Sequence, residues 1–318
     1  MTGLKSINFS TSSLCTADCV YCPSDRGECS KTKIMSFETF QKIIDEIASS
    51  EFKMNNDTEQ IILGENGDFF LDPGWQLKLR YCREMLPNTK IVLFTNLCLL
   101  KGFEADFTLR FVNEIVCNLD SINYDAYWST KKLDLTCAKN NLEKLVKLRN
   151  EDYPNVKISV FVLNGNKYSS LVKSMSGKDP AKGFKDCVDD PLQTLEYLEK
   201  LLLSTDDAKV LNSMMWAERD SWKEVVIPDC LNACPMLPRL EEEAFIAPDG
   251  VWYACCYDSK NKLRLGDTTN QTLQQIYNGE ERNEFVQKLK DKKFKEIGSP
   301  CNTVQCCYTY EIQKKVQP

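Results

Sequence analysis

The sequence predicts an α/β protein: a partial (β/α)6 TIM-like barrel followed by a smaller C-terminal domain built from a β-hairpin and a helix. Short apolar segments rich in β-branched residues alternate with amphipathic helical segments through the first two-thirds of the chain. Such repeated units imply a parallel sheet with right-handed crossovers. From residue 230 onward the pattern changes to an antiparallel hairpin, and seven of the sixteen cysteines lie there.

Five segments have the composition of strands, and a sixth strand is expected within residues 204–222. Five or six units suit a partial barrel better than a complete eight-fold one, although an open doubly wound sheet fits the same pattern. The five strands are Ser6–Phe9, Gln60–Leu63, Lys90–Phe94, Glu114–Leu119 and Lys157–Leu163.

The first helix has the clearest signal. Ser36 is a good N-cap, and the apolar residues that follow it lie at the i, i+3, i+4, i+7 positions of one helix face. These residues are Phe40, Ile43, Ile44 and Ile47. Further helices are predicted at Trp75–Met85, Asn140–Leu148 and Pro191–Leu203.

The C-terminal segment predicts a separate domain. Apolar strands at Ala244–Ala247 and Val251–Cys255 flank the turn Pro248-Asp249-Gly250, which is hairpin chemistry. A helix is expected within Asn270–Asn278, with Gly279 ending it. We therefore predict domains at residues 1–225 and 226–318.

Composition excludes several functional classes. The net charge is −6 and there is no long basic segment, which argues against a nucleic-acid partner. The absence of histidine excludes His-based zinc sites, haem–His ligation and every Ser-His or Cys-His triad. No apolar segment is long enough for a membrane span or a signal core. We expect a cytoplasmic protein whose cysteines are reduced, and bind metal or are buried.

The most informative motif is Cys15-x3-Cys19-x2-Cys22, which directly follows the first strand. A structural zinc site takes four protein ligands, whereas an iron–sulfur cluster held by three cysteines leaves one iron open. Because the carboxyl ends of barrel strands carry the chemistry, this position fits a reactive centre. A zinc site with Cys29 as the fourth ligand is the alternative.

This spacing, with the aromatic Tyr21 before the third cysteine, resembles the signature of the radical S-adenosylmethionine (SAM) superfamily. The resemblance implies a 4Fe–4S cluster on Cys15, Cys19 and Cys22 that binds SAM, with Tyr21 among the cofactor-binding residues. In the family, a Gly-Gly-Glu-Pro-like turn after the second strand holds the amino group of SAM.

Three further segments extend this resemblance. Asn66-Gly67-Asp68 occupies the place of the family turn, although Asn66 and Asp68 depart from the usual Gly and Glu. Thr95-Asn96-Leu97 is similar to the family's Thr-Asn-Gly, with leucine in place of glycine. Asn118, near the end of the fourth strand, is expected to face the ribose or the carboxylate of SAM.

The C-terminal cysteines resemble SPASM and twitch domains, which hold auxiliary iron–sulfur clusters. Cys234 is followed after fifteen residues by Gly250 and after four more by Cys255, as in those domains. The resemblance implies one auxiliary 4Fe–4S cluster, held by Cys234, Cys255, Cys301 and either Cys306 or Cys307, as in the twitch variant. A zinc knuckle with the same thiols is the alternative.

The resemblance implies an enzyme that cleaves SAM reductively to a 5′-deoxyadenosyl radical and abstracts hydrogen from a substrate. We expect a small polar substrate, similar to a sugar or an aminocyclitol, that is dehydrogenated or epimerised. One alternative is a maturase of ribosomally made peptides that forms thioether or C–C cross-links or epimerises residues. Another is a non-catalytic metal-binding protein. The expected reductant is a flavodoxin or ferredoxin.

Overall fold

The computed structural model describes residues 3–19, 22, 33–55, 58–163, 191–211, 234, 236–256, 258, 262–298 and 301. The chain divides into two compact units. The first unit consists of Met1–Cys15, Ser24–Phe94 and Ile227–Asn302, and the second unit of Thr16–Pro23, Thr95–Val226 and Thr303–Pro318. In the described ranges, no helix is long and apolar enough to cross a membrane.

The strands and helices are numbered along the chain. The strands are β1 (Ser6–Phe9), β2 (Gln60–Leu63), β3 (Lys90–Thr95), β4 (Glu114–Asp120), β5 (Lys157–Leu163), β6 (Asp207–Leu211), β7 (Glu243–Ile246), β8 (Val251–Tyr253) and β9 (Arg264–Asp267). The helices are α1 (Phe37–Ala48), α2 (Ser50–Asn55), α3 (Trp75–Met85), α4 (Phe103–Phe111), α5 (Tyr124–Lys131), α6 (Leu135–Asp152), α7 (Pro191–Leu201), α8 (Leu237–Glu242), α9 (Leu273–Asn278), α10 (Glu280–Lys290) and α11 (Phe294–Ile297).

The first unit is built on a sheet with the strand order β3-β2-β1-β7-β8-β9. β3, β2, β1 and β7 run parallel, whereas β7, β8 and β9 form an antiparallel meander. The hairpin predicted for the C-terminal segment is therefore present. Gly250 at its tip has φ +82°, the left-handed conformation that glycine adopts without steric cost.

The core of the first unit lies between the sheet and α1. Phe9 on β1 packs against Phe40, with ring centroids 5.0 Å apart. The predicted helix stripe of Phe40, Ile43, Ile44 and Ile47 is fully buried, and each such side chain stabilises the fold by about 1.5–3 kcal/mol. Ser36 caps the helix as predicted, because its Oγ accepts the backbone N–H of Thr39 at 3.0 Å.

The second unit contains the parallel strands β4, β5 and β6, with the buried face of α6 contributing to its core. Arg149 of α6 is fully buried and binds Asp206 through two nitrogens, with Nη1 to Oδ1 at 2.6 Å. The same guanidinium donates to the Val156 carbonyl at 2.9 Å. The pair therefore connects α6 to the segments before β5 and β6.

The five predicted barrel strands coincide with the observed ones to within one residue, and β6 lies inside the segment where a sixth strand was expected. The second hairpin strand, β8, ends two residues earlier than predicted. α6 is longer than predicted, and α4 and α5 were missed. α4 follows Gly102, and no side chain caps its first turn, so the usual start signal of a helix is absent from the sequence. The mixed α/β architecture is that of a partial TIM barrel with an added C-terminal antiparallel region.

Candidate functional site

The cysteine motif follows β1 in the chain. Cys15 belongs to the first unit, whereas Cys19 and Cys22 belong to the second. Cys19 is buried, and Cys15 and Cys22 are half-buried. The backbone N–H of Cys22 donates to the Cys19 carbonyl at 3.0 Å. Tyr21 lies outside the described residues.

In the first unit, the turn after β2 packs directly against the chain that leads into Cys15. Gly67 has φ +86°, and a Cβ at this position would lie 2.1 Å from the Ser12 carbonyl oxygen and 2.9 Å from that of Leu14. The backbone N–H of Asp68 donates to the Leu14 carbonyl at 2.6 Å. Only glycine fits this contact, which joins the predicted SAM-binding turn to the first cysteine of the motif.

The side chains of this turn have distinct partners. Asn66 Nδ2 donates to the hydroxyl of Tyr253 on β8 at 3.0 Å. Asp68 is buried, and its Oδ1 accepts the backbone N–H of Phe70 at 3.1 Å, which caps the short 3-10 turn at Phe69–Leu71. The carboxylate of Asp68 therefore stabilises the loop in addition to any role towards a ligand.

Glu65 is a candidate that the sequence analysis missed. Its Oε2 is buried, and within the described residues no group forms a hydrogen bond with it. Burial raises the pKa of Glu65 to about 8, against the opposing effect of Arg239. The available signal was its position: Glu65 follows Gly64 directly after β2, at the carboxyl end of a barrel strand.

In the second unit, Asn96 connects the end of β3 to the cysteine motif. Its Nδ2 donates to Thr16 Oγ1 at 2.8 Å, and its Oδ1 accepts the backbone N–H of Cys98 at 3.0 Å. Leu97, which replaces the family glycine, has φ +72°. Asn141 donates to the Leu97 carbonyl at 2.8 Å, and this bond helps to hold a conformation that is unfavourable for leucine.

Asn118 and Asp120 lie at the end of β4, beside a register shift. Asn118 is half-buried, and its contact with SAM stays a prediction. Asp120 is buried with φ +64°, and its Oδ1 lies 3.4 Å from Lys131 Nζ. This end of the strand therefore carries a buried ion pair that the sequence pattern did not indicate.

Three of the predicted auxiliary ligands are described, and all are buried in the first unit: Cys234, Cys255 and Cys301. Burial raises the pKa of the Cys234 thiol, and the backbone N–H groups of Met236 and Leu237 act in the opposite direction. The Leu237 N–H donates to the Cys234 carbonyl at 3.2 Å. Cys306 and Cys307 lie outside the described residues. Within the described ranges, no three Cys, Asp or Glu side chains are assembled as a metal-binding group.

The donor chemistry fits iron–sulfur clusters at both places. Thiolates are the usual ligands of these clusters, and hydrogen bonds to their sulfurs tune the potential. At Cys234, the backbone N–H groups of Met236 and Leu237 lower the pKa of the thiol and so favour its thiolate form, although burial raises the pKa overall. The Gly67 contact leaves no space for a side chain beside the loop of Cys15. Cys15, Cys19 and Cys22 would hold one cluster, and Cys234, Cys255 and Cys301 would contribute to a second.

A comparison with models of known protein families gives a match for the C-terminal part of the chain. Residues 234–313 match the SPASM model, which describes an iron-sulfur cluster-binding domain. This segment is a SPASM domain. It contains β7, β8 and β9 and begins at Cys234, the first of the auxiliary ligands predicted from the spacing.

Several solved structures share the fold. BtrN in complex with AdoMet and 2-DOIA matches with a TM-score of 0.58 and 14% identity, over 96% of this chain and 92% of that chain. anSMEcpe with bound AdoMet matches with a TM-score of 0.60 and 13% identity, over 98% and 95%. Streptococcus suis SuiB bound to precursor peptide SuiA matches with a TM-score of 0.58 and 10% identity, over 90% and 67%.

The chain therefore shares the fold of these structures, and its C-terminal segment matches the SPASM domain. The architecture predicted from the sequence, a partial barrel followed by a C-terminal hairpin region, is confirmed. No curated protein sequence matches this chain.

Proposed function

We propose that this protein is a radical SAM enzyme, which cleaves SAM reductively and abstracts a hydrogen atom from a small polar substrate, with dehydrogenation or epimerisation as the net reaction. The cluster on Cys15, Cys19 and Cys22, together with SAM, supplies the 5′-deoxyadenosyl radical. The chain positions both reactants and keeps water and competing reactions away.

One observation carries this proposal: the contact of Gly67 and Asp68 with the backbone before Cys15. A SAM molecule that binds a cluster iron through its methionine end needs the cluster ligands and the methionine-binding turn side by side. The 2.6 Å hydrogen bond from Asp68 N to Leu14 O provides that proximity within one unit. Proximity of this kind lowers the entropic part of the barrier.

Within the turn, we assign the ammonium group of SAM to Glu65. Its Oε2 is buried without a partner in the described chain, whereas Asp68 Oδ1 already accepts from Phe70. A buried acceptor without a donor is costly, and an ammonium group would remove that cost. Asn66 is oriented by Tyr253, and Asn96 binds Thr16, which lies between Cys15 and Cys19 in the motif.

The SPASM domain suggests how an oxidation would be completed. We assign one auxiliary cluster to Cys234, Cys255, Cys301 and either Cys306 or Cys307. A cluster with four cysteine ligands would have no open iron, and it would supply an acceptor or relay for the electron left on the substrate. We propose that a flavodoxin or ferredoxin supplies the electron for SAM cleavage.

Structural neighbours support two substrate classes. BtrN was solved with 2-DOIA, whereas SuiB was solved with its precursor peptide SuiA and anSMEcpe with the Kp18Cys peptide. The small polar substrate is supported by BtrN, which was solved with 2-DOIA and matches over nearly the whole of both chains; anSMEcpe matches over a similar share. A peptide substrate is the second candidate, favoured by the two peptide-bound neighbours.

The first experiment is anaerobic reconstitution with iron and sulfide, followed by addition of SAM and dithionite. We expect 5′-deoxyadenosine from the wild type and from Cys234→Ala, and none from Cys19→Ala. Cys82→Ala is the matched control, because Cys82 is a buried cysteine of α3 outside both ligand sets. Wild-type levels of product from Cys19→Ala would refute the proposal.

Substrate class is tested in the same assay. We expect 2-DOIA or a related aminocyclitol to raise the rate of 5′-deoxyadenosine formation and to be oxidised or epimerised, as seen by mass spectrometry. If a short peptide encoded beside this gene is modified instead, the peptide candidate replaces the first.

A further inference from the structure

Tyr127 of α5 is a buried phenol whose hydroxyl is unsatisfied. The residue is 0% exposed, and within the described chain its OH has no hydrogen-bond partner. Leaving a buried hydroxyl unpaired is costly. Phenylalanine would fill almost the same space without that cost, so the hydroxyl is expected to have a partner beyond the described residues.

The cysteine motif packs against the same helix. The backbone N–H of Asp18, the residue before Cys19, donates to the carbonyl of Lys131 at 3.0 Å. Tyr127 and Lys131 are four residues apart on α5, so they share a face of the helix, and both are buried. The buried face of α5 therefore lies beside the Cys19 half of the motif.

The ionisable groups around Tyr127 are thiols and a carboxyl, which become negatively charged when they lose a proton. After burial, the neighbours that raise the pKa of Tyr127 are Cys98, Asp120, Cys19 and Cys137, in that order. A phenol hydroxyl can donate one hydrogen bond. Lys131 adds a buried positive charge to these surroundings, with its Nζ 3.4 Å from Asp120 Oδ1.

We propose that the Tyr127 hydroxyl donates a hydrogen bond to a sulfur of the cluster held at Cys19, and that this bond raises the reduction potential of the cluster. The inference rests on the proposed function, because it requires a cluster at Cys15, Cys19 and Cys22. Reduction adds negative charge to the sulfurs, and a hydrogen-bond donor stabilises the reduced state more than the oxidised state. Tyr127 is thus a positioning and tuning residue, with no contact to substrate required.

The test is a redox titration of the reconstituted holoprotein, followed by electron paramagnetic resonance. Cys234→Ala serves as the common background for both variants, so that the signal reports the cluster at the N-terminal motif. For Tyr127→Phe we expect a more negative potential. At fixed solution potential the ratio of reduced to oxidised cluster should fall about tenfold, which is 59 mV for a one-electron couple.

Tyr197→Phe is the matched control, because it also removes a phenol hydroxyl in the second unit. Tyr197 is half-buried on α7 and donates to Glu143 at 2.8 Å, so the potential should not change. A second measurement separates tuning from folding: metal-free Tyr127→Phe should be as stable as the parent or more stable, because the unpaired hydroxyl is gone.

The outcomes separate the two proposals. If the wild type binds no iron, or iron without a reducible cluster, the proposed function fails. If the cluster forms normally and Tyr127→Phe leaves its potential unchanged, the function stands and the hydrogen bond to the cluster is refuted. A loss of stability in metal-free Tyr127→Phe would show that the hydroxyl has a protein partner, and would also overturn the inference.

Discussion

Replacing Glu65 with glutamine should change how the stability of the protein depends on pH. Burial raises the pKa of this carboxyl from 4.5 to about 8. Between these values the folded state holds a proton that the unfolded state has lost, so the free energy of unfolding falls as pH rises through this window. Glutamine does not titrate, and the variant should escape this loss.

The magnitude follows from the same shift. Each pKa unit corresponds to about 1.4 kcal/mol of unfolding free energy. Between the two pKa values the wild type therefore loses on the order of 5 kcal/mol of stability, of which about 3 kcal/mol is lost below neutral pH. Only Oε2 is fully buried and the residue as a whole is half-buried, so solvent screening reduces this figure. We expect Glu65→Gln to be about 2 kcal/mol more stable than the wild type at about pH 7, with no difference below about pH 4.5.

Urea unfolding at a series of pH values measures this difference, with the exposed Glu51→Gln as the control. The reasoning is refuted if the stability difference between Glu65→Gln and the wild type does not vary with pH. The same residue makes a prediction about SAM. If Glu65 binds the ammonium group, SAM binding near neutral pH releases close to one proton, which calorimetry in buffers of different ionisation enthalpy detects. Glu65→Gln should abolish this release.

Two further substitutions test the packing that supports the site. Gly67→Ala should weaken SAM binding about tenfold or more, because the added Cβ would displace the backbone before Cys15. A tenfold loss of affinity corresponds to the loss of about one hydrogen bond. Gly102→Ala is the control, since Gly102 also has a positive φ but has open space around it. Equal SAM affinity of the two variants by calorimetry would contradict this. Arg149→Met should destabilise the second unit by about 3–5 kcal/mol, because it leaves a buried Asp206 unpaired, whereas the exposed Lys147→Met should stay within about 0.5 kcal/mol in urea unfolding.

The parts of the site that follow local spacing were predictable. The cysteine motif, the turn after β2 and the asparagine after β3 were placed at strand ends because the strand–helix alternation is clear. The same reasoning missed α5, whose short segment has little amphipathic pattern, and with it the buried face that carries Tyr127. It also named Asp68 and did not consider Glu65, because the sequence does not reveal which acid in a turn is already hydrogen-bonded.

Sequence periodicity and cysteine spacing depend on residues that are close in the chain, so they indicated the barrel strands, the hairpin with Gly250 and the two proposed sets of cluster ligands. The hydrogen-bond and packing partners of a residue depend on segments that meet only after folding. The approach of Gly67 to Ser12, the bond of Asn66 to Tyr253 and the unpaired Oε2 of Glu65 arise from such contacts, because burial and hydrogen-bond satisfaction are properties of the packed chain.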